Sequence, residues 1–187
     1  MLSYFDLRKG VKFILDGEPY EVLEFKQIGK AQDVVVAKTK IKNLITSRII
    51  ERNFHQDDIF KEAELEKIEV KFIYSHRGKF YFAEIKNLSQ RFEFTEEQIG
   101  FGVKFLKPNL VLDGLKFERK VINVTLPIKV RLKVIEAPPG VKGERAQAGT
   151  KTVILETGAK INVPLFIESG DIVEVNTETG EYVKRIE

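Results

Sequence analysis

The chain has 187 residues, 43% of them hydrophobic, with 31 Lys and Arg against 28 Asp and Glu for a net charge of +3. That is enough apolar content for real cores and too little net charge to name a partner by itself. Cysteine is absent and there are only two histidines, His55 and His76, which excludes disulfides, thiol nucleophiles and cysteine-held zinc and leaves little basis for histidine-rich metal or proton-relay chemistry. No apolar run approaches the ~20 residues that span a bilayer, and the opening "MLSYFDLRKG" has no apolar signal core. A cytoplasmic protein with no membrane association is expected. Neither a metal nor a cofactor is expected.

Taken in chain order, the segments read mostly as strands. "DGEP" at Asp16 is a turn signal, and "GEPYEVLEFK" (Gly17–Lys26) and "VVVAKTKIK" (Val34–Lys42) are strand candidates joined by the loop "QIGKAQD". Gly29 suits a positive φ at that tip. "DDIFKEAELEKI" (Asp57–Ile68) is charged and reads as helix or turn. "IEVKFIY" alternates, which puts Ile68, Val70, Phe72 and Tyr74 on one face. "HRGK" at His76 and "DG" at Asp113 read as further turns. Phe80, Tyr81 and Phe82 could stack bases, with core packing as the default for so apolar a strand. "TEEQIGFGVKFL" opens with a capping box, Thr95 and Gln98, and Gly100 and Gly102 shorten the helix it starts. Pro127 ends one strand, and "IKVRLKV" then alternates with Ile128, Val130, Leu132 and Val134 inward. "TGE" at Thr179 closes the series of turns. Many short strands with regular turns predict an all-β protein of barrels or sandwiches. Three pieces are expected, 1–64, 65–126 and 127–187, each small enough to need packing on its neighbours. No sequence repeat is evident.

The candidate site is the first hairpin. Residues 25–48 carry Lys26, Lys30, Lys38, Lys40, Lys42 and Arg48 against one acid, Asp33. In a strand, side chains at i, i+2 and i+4 share a face, so Lys38, Lys40 and Lys42 form a row at roughly 6–7 Å spacing. Such a row suits a phosphate backbone, where cations supply affinity without reading bases. The same row is equally what a solvated face or a protected edge looks like, and periodicity alone favours that plainer reading. His55 and His76 have no neighbouring ligands. Asp57-Asp58 and Glu96-Glu97 read as helix starts rather than catalytic dyads. There is no G-x-S-x-G and no phosphate-binding loop. An enzyme is not expected.

The C-terminal third carries a more specific signal. "KTVILETGAKINVPLFIESGD" (Lys151–Asp171) resembles the signature of the bacterial elongation factor P family, with Lys151, Gly158, Ile161, Val163, Pro164, Ile167 and Gly170 in the family's spacing. Val153 stands where the family usually has alanine. "DLRKGVKFILDGEPYEV" (Asp6–Val22), "KIKNLITSRIIERNF" (Lys40–Phe54), "APPGVKGERAQAGTK" (Ala137–Lys151) and "NTETGEYVKRIE" (Asn176–Glu187) resemble the family in the same order, so the resemblance runs the whole length.

The resemblance implies an SH3-like (KOW-like) first domain with the lysine-tipped hairpin, followed by two OB-fold domains. It implies a translation elongation factor that binds the ribosome between the peptidyl and exit tRNA sites and speeds bond formation at consecutive prolines by positioning the peptidyl-tRNA of the P site. It also makes Lys30 the tip residue that a lysine-modifying enzyme would extend, within the tip loop Ile28, Gly29, Ala31 and Gln32. The family's usual tip is Pro-Gly-Lys-Gly, and this loop is somewhat longer. Lys26, Lys38, Lys40 and Lys42 are the candidates for tRNA or ribosomal RNA on the hairpin. Lys142, Arg145, Tyr182 and Arg185 are those expected near the small subunit, with Glu144-Arg145-Ala146 departing from the family's Asp-Thr-Ala. A monomer is expected. The other class of reading is a single-stranded nucleic-acid-binding protein built from OB domains, which would bind free oligonucleotides without the ribosome.

Overall fold

A computed structural model describes residues 1–29, 36–139 and 149–186. The described chain is all-β, arranged as three sheets. The first contains β1 (Leu2–Ser3), β2 (Lys12–Leu15), β3 (Glu18–Ile28), β4 (Val36–Asn43), β5 (Ile49–Phe54) and β6 (Ile59–Glu62), in the order β1-β6-β2-β3-β4-β5. The second contains β7 (Leu65–His76), β8 (Lys79–Glu84), β9 (Asn87–Thr95), β10 (Val111–Phe117) and β11 (Lys120–Thr125), in the order β11-β10-β7-β8-β9. The third contains β12 (Lys129–Glu136), β13 (Thr150–Leu155), β14 (Lys160–Pro164), β15 (Ile172–Asn176) and β16 (Tyr182–Ile186), in the order β14-β13-β12-β15-β16. Counted within each sheet, the second and third share one strand order, 3-2-1-4-5. The repeat absent from the sequence is present in the topology. Five strands in a curled, partly open barrel are the OB pattern. By its contacts the chain forms two compact units, 1–68 with 114–123 and 69–113 with 124–187.

Each core follows from alternation. In the first unit Phe13, Phe54 and Phe60 meet edge to face at centroid distances of 5.0, 4.8 and 5.9 Å, with Tyr4, Leu7, Val22, Ala37 and Ile41 buried around them. Aromatic pairs in this geometry add to the burial of their area. In the second unit Val130, Leu132 and Val134 of β12 pack with Val153, Leu155, Ile161, Val163 and Ile167. Ile161, Val163 and Ile167 belong to the signature stretch, and its Gly158 and Gly170 take φ of 84° and 99° in turns. The Val-Pro and glycine spacing therefore encodes core and turns, which is why it is visible at the sequence level.

Several expectations need correction. Asp57–Ile68 contains no helix. Phe60 is buried between exposed Ile59 and Lys61, and this stretch forms β6, which pairs with β1 and β2. Asp113-Gly114 lies inside β10 rather than in a turn. The turn that follows is Glu118-Arg119, at φ 46° and 68°, a conformation its residue types do not advertise. Ile128 is 58% exposed, one residue ahead of β12. Tyr74 does not share a face with Val70 and Phe72. A bulge between Phe72 and Tyr74 inserts one residue and turns Tyr74 outward.

The helical signal is short, as its glycines predict. Thr95 caps the single turn α1 (Glu96–Ile99): its backbone N–H donates to Gln98 Oε1 at 2.9 Å, and the Gln98 N–H donates to Thr95 Oγ1 at 3.4 Å. Gly100, at φ 78°, ends it, and a 3-10 segment over Phe101–Phe105 follows. No helix among the described residues is long and apolar enough to cross a membrane.

Candidate nucleic-acid interface

β3 and β4 pair antiparallel from Tyr20↔Asn43 to Ile28↔Val36, with a bulge between Val22 and Glu24. β5 backs β4 from Ile49↔Lys42 to Phe54↔Ala37. Alternation along β4 is clean. Ala37, Thr39, Ile41 and Asn43 are buried, and Lys38, Lys40 and Lys42 lie on the opposite, accessible face. The buried polar groups on the inner side are satisfied. Thr39 Oγ1 donates to the Arg52 carbonyl at 2.8 Å. Asn43 donates to Glu18 Oε2 at 2.6 Å and accepts from the N–H groups of Ile45 and Thr46 at 2.8 and 2.9 Å. Asn43 thus fixes the base of the hairpin and the turn leading to β5 with one side chain.

The charges along the outer face are set by the register of β3, β4 and β5. At the base Lys42 is opposite Glu21, and Lys40 is opposite Glu24, whose carboxylate lies 3.8 Å from its ammonium. Further out Lys38 Nζ lies 3.4 Å from Glu51 Oε2 on β5. Lys38 also faces Lys26 directly across β3–β4, and among the described residues Lys26 has no ion-pair partner. Like charges directly opposite destabilise a strand pair. The sheet tolerates this arrangement at its outer end and avoids it at its base. Ile28, the last residue of β3, is 57% exposed, and Gly29 is exposed beyond it. Lys30, Ala31 and Gln32 lie outside the described residues, as do Lys142 and Arg145.

The C-terminal candidates have other partners. Tyr182 is half-buried and packs against the third sheet's core. Arg185 is exposed; one of its guanidinium nitrogens lies 3.7 Å from Asp171, and the group sits 5.6 Å from the centre of the Phe166 ring. Among the described residues no cluster of three His, Asp or Glu is placed to hold a metal.

Sequence reasoning missed two features. The Lys26–Lys38 opposition depends on the register of the hairpin, which the bulge sets and no local pattern shows. The second is on β8, where Phe82 is buried and Tyr81 faces the other way, stacked on Tyr74 with ring centroids 4.7 Å apart. The alternation Lys79, Tyr81, Ala83 against Phe80, Phe82 was a legible signal for that separation.

Comparison with known proteins bears on this architecture. Residues 3–60 match the family model for the elongation factor P KOW-like domain, and residues 130–185 match that for the elongation factor P C-terminal domain. An elongation factor P from Carboxydothermus hydrogenoformans is 39% identical over 186 residues, covering the whole of both chains. One from Synechococcus sp. (strain JA-2-3B'a(2-13)) is 40% identical over 185 residues, covering 99% of this chain and all of its own. Among solved structures, an initiation factor 5A from Methanococcus jannaschii superposes with a TM-score of 0.50 at 12% identity, covering 66% of this chain and 94% of its own, a likeness of fold. With a matching domain at each end and relatives aligned from end to end, the chain belongs to the elongation factor P family of translation elongation factors.

Proposed function

We propose that the protein binds the ribosome between the peptidyl and exit tRNA sites and stimulates peptide bond formation at consecutive prolines by positioning the peptidyl-tRNA. In this reading it has three domains, 1–64, 65–126 and 127–187, and the first presents its hairpin to the tRNA. Proline is a rigid acceptor because its ring fixes φ, so slow transfer between prolines is a problem of alignment. Orientation alone can supply several kcal/mol, up to about 7–11 in the best cases. Such a factor needs no acid, base or nucleophile of its own. The ribosome makes the bond.

The observation that carries this reading is the hairpin, whose outer face presents Lys26, Lys38, Lys40 and Lys42, with Lys38 beside Glu51, Lys40 beside Glu24, and Lys26 opposite Lys38 without an ion-pair partner among the described residues. A row of accessible cations of this kind suits a polyanion. Lys30, extended by a modifying enzyme, would meet the terminal backbone of the peptidyl-tRNA, with Lys26, Lys38, Lys40 and Lys42 on phosphates behind it. Lys142, Arg145, Tyr182 and Arg185 would meet RNA near the small subunit. The test is Lys30→Ala in translation of a Pro-Pro-Pro template. Stalling at the prolines is expected to return to the level seen without the factor, and unchanged synthesis would refute the assignment of the tip.

A further inference from the structure

The outer face of β7, β8 and β9 holds a second concentration of cations, here beside accessible aromatic rings. Three rows run across it. Tyr74, Tyr81 and Glu93 form the middle row, half-buried Lys71, fully buried Ala83 and exposed Arg91 lie on one side, and His76, Lys79 and Thr95 lie on the other. The rings of Tyr74 and Tyr81 stack at 18° with centroids 4.7 Å apart, and Tyr74 is 43% exposed. The turn beside them carries exposed Arg77 at φ 51°. The carboxylates on this face are Glu93, which is engaged by the Lys79 ammonium, and Glu69 at its far end. Among the described residues neither Lys71 nor Arg91 has an ion-pair partner. The inner face of the same strands is a separate aromatic core in which Phe82 touches Phe72, Phe92 and Phe94.

We propose that this outer face is a binding site for unpaired RNA, with bases stacking on the Tyr74–Tyr81 pair and phosphates meeting Lys71, Arg77, Lys79 and Arg91. Three arguments support it. In OB folds the ligand face is centred on the second and third strands and the loop between the first two, which here are β8, β9 and the Arg77 turn. Stacking platforms flanked by cations are how such faces hold single strands without reading sequence. The Phe72–Tyr74 bulge exists at the one place where it moves an aromatic ring from core to surface, and bulges commonly re-aim a side chain at a functional site. Partial burial, and then the Glu93 carboxylate, raise the Tyr81 phenol above its ordinary pKa, and like any unperturbed tyrosine it is neutral at physiological pH. That the RNA is contributed by the ribosome rests on the function proposed above. The binding itself does not.

The test uses the full chain and an eight-nucleotide single-stranded RNA, followed by amide and aromatic NMR shifts without ribosomes. Shifts are expected at residues 71–93, and the matching RNA duplex should bind there more weakly. The double variant Tyr74→Ala, Tyr81→Ala should lose at least about fivefold in affinity, while Tyr74→Phe, Tyr81→Phe keeps it. Should the alanine variant fail to fold, Arg91→Glu on the exposed face should weaken binding and flatten its salt dependence. Shifts confined to the hairpin, equal binding of duplex, or full affinity in Arg91→Glu would overturn the proposal. None of these results depends on synthesis through prolines, so the two readings fail separately.

Discussion

Lys26 and Lys40 are both hairpin lysines, yet their surroundings predict different roles. Lys40 must leave a carboxylate 3.8 Å away before it can serve a phosphate, whereas Lys26 is opposed by another cation. Lys26→Ala is therefore expected to weaken ribosome binding more than Lys40→Ala, measured by titrating each variant against ribosomes at one salt concentration. Asn43 is a structural counterpart. It is buried and holds three partners, so Asn43→Ala leaves the Ile45 and Thr46 N–H groups and Glu18 without it. A loss of about 1–3 kcal/mol in urea unfolding is expected. Asp6 supplies a pH dependence. Hydrogen bonds from the Ser3 backbone N–H and hydroxyl, both at 2.8 Å, hold its carboxyl below the ordinary aspartate range. A depressed folded pKa adds stability above the unfolded value, and that increment is lost as pH falls through the folded one. Wild type should exceed Asp6→Asn in stability at neutral pH, with the gap closing in acid.

Among the elements, the turns show what a sequence conveys and what it hides. Asp16-Gly17 and Arg77-Gly78 take positive φ at both residues, as glycine at the second position announces. Glu118-Arg119 adopts the same conformation with no glycine, and Asp113-Gly114, which looks like a turn, continues a strand. Pairing with neighbouring strands decided both cases over local preference. Arg119→Gly should relieve left-handed strain and raise unfolding stability by up to about 1 kcal/mol, read from the denaturant midpoint. Bulges were equally hidden. The one before Tyr74 depends on a single inserted residue, and a one-residue slip exchanges the two faces of a strand. The strands themselves were legible, because β4 and β12 alternate without interruption over their buried positions.

Across the molecule, net charge is a poor guide to binding. A total of +3 describes a nearly neutral protein, while the cations that matter are set by register and by where acids are missing. Each phosphate-bound cation contributes about 0.7–0.9 to the salt slope, so removing Lys26 and Lys42 together should lower the slope of ribosome affinity by up to about two. Fold class was readable because apolar alternation and the glycine spacing of the signature stretch both report on cores. The interfaces were less so, since a lysine row looks alike whether it is solvated or waiting for RNA. The charges that face that row lie on β3 and β5, outside any local pattern, so register decides which of its lysines has a partner.

The facing Lys26 and Lys38 also set the free protein's own condition. They share one face of the hairpin, and Glu51, 3.4 Å from the Lys38 ammonium, partners only one of the two, so an added anion would offset the repulsion that remains. Ordinary polyanions, heparin or a simple polyphosphate, should then raise the melting temperature of the unbound protein, and Lys38→Gln should remove part of that gain.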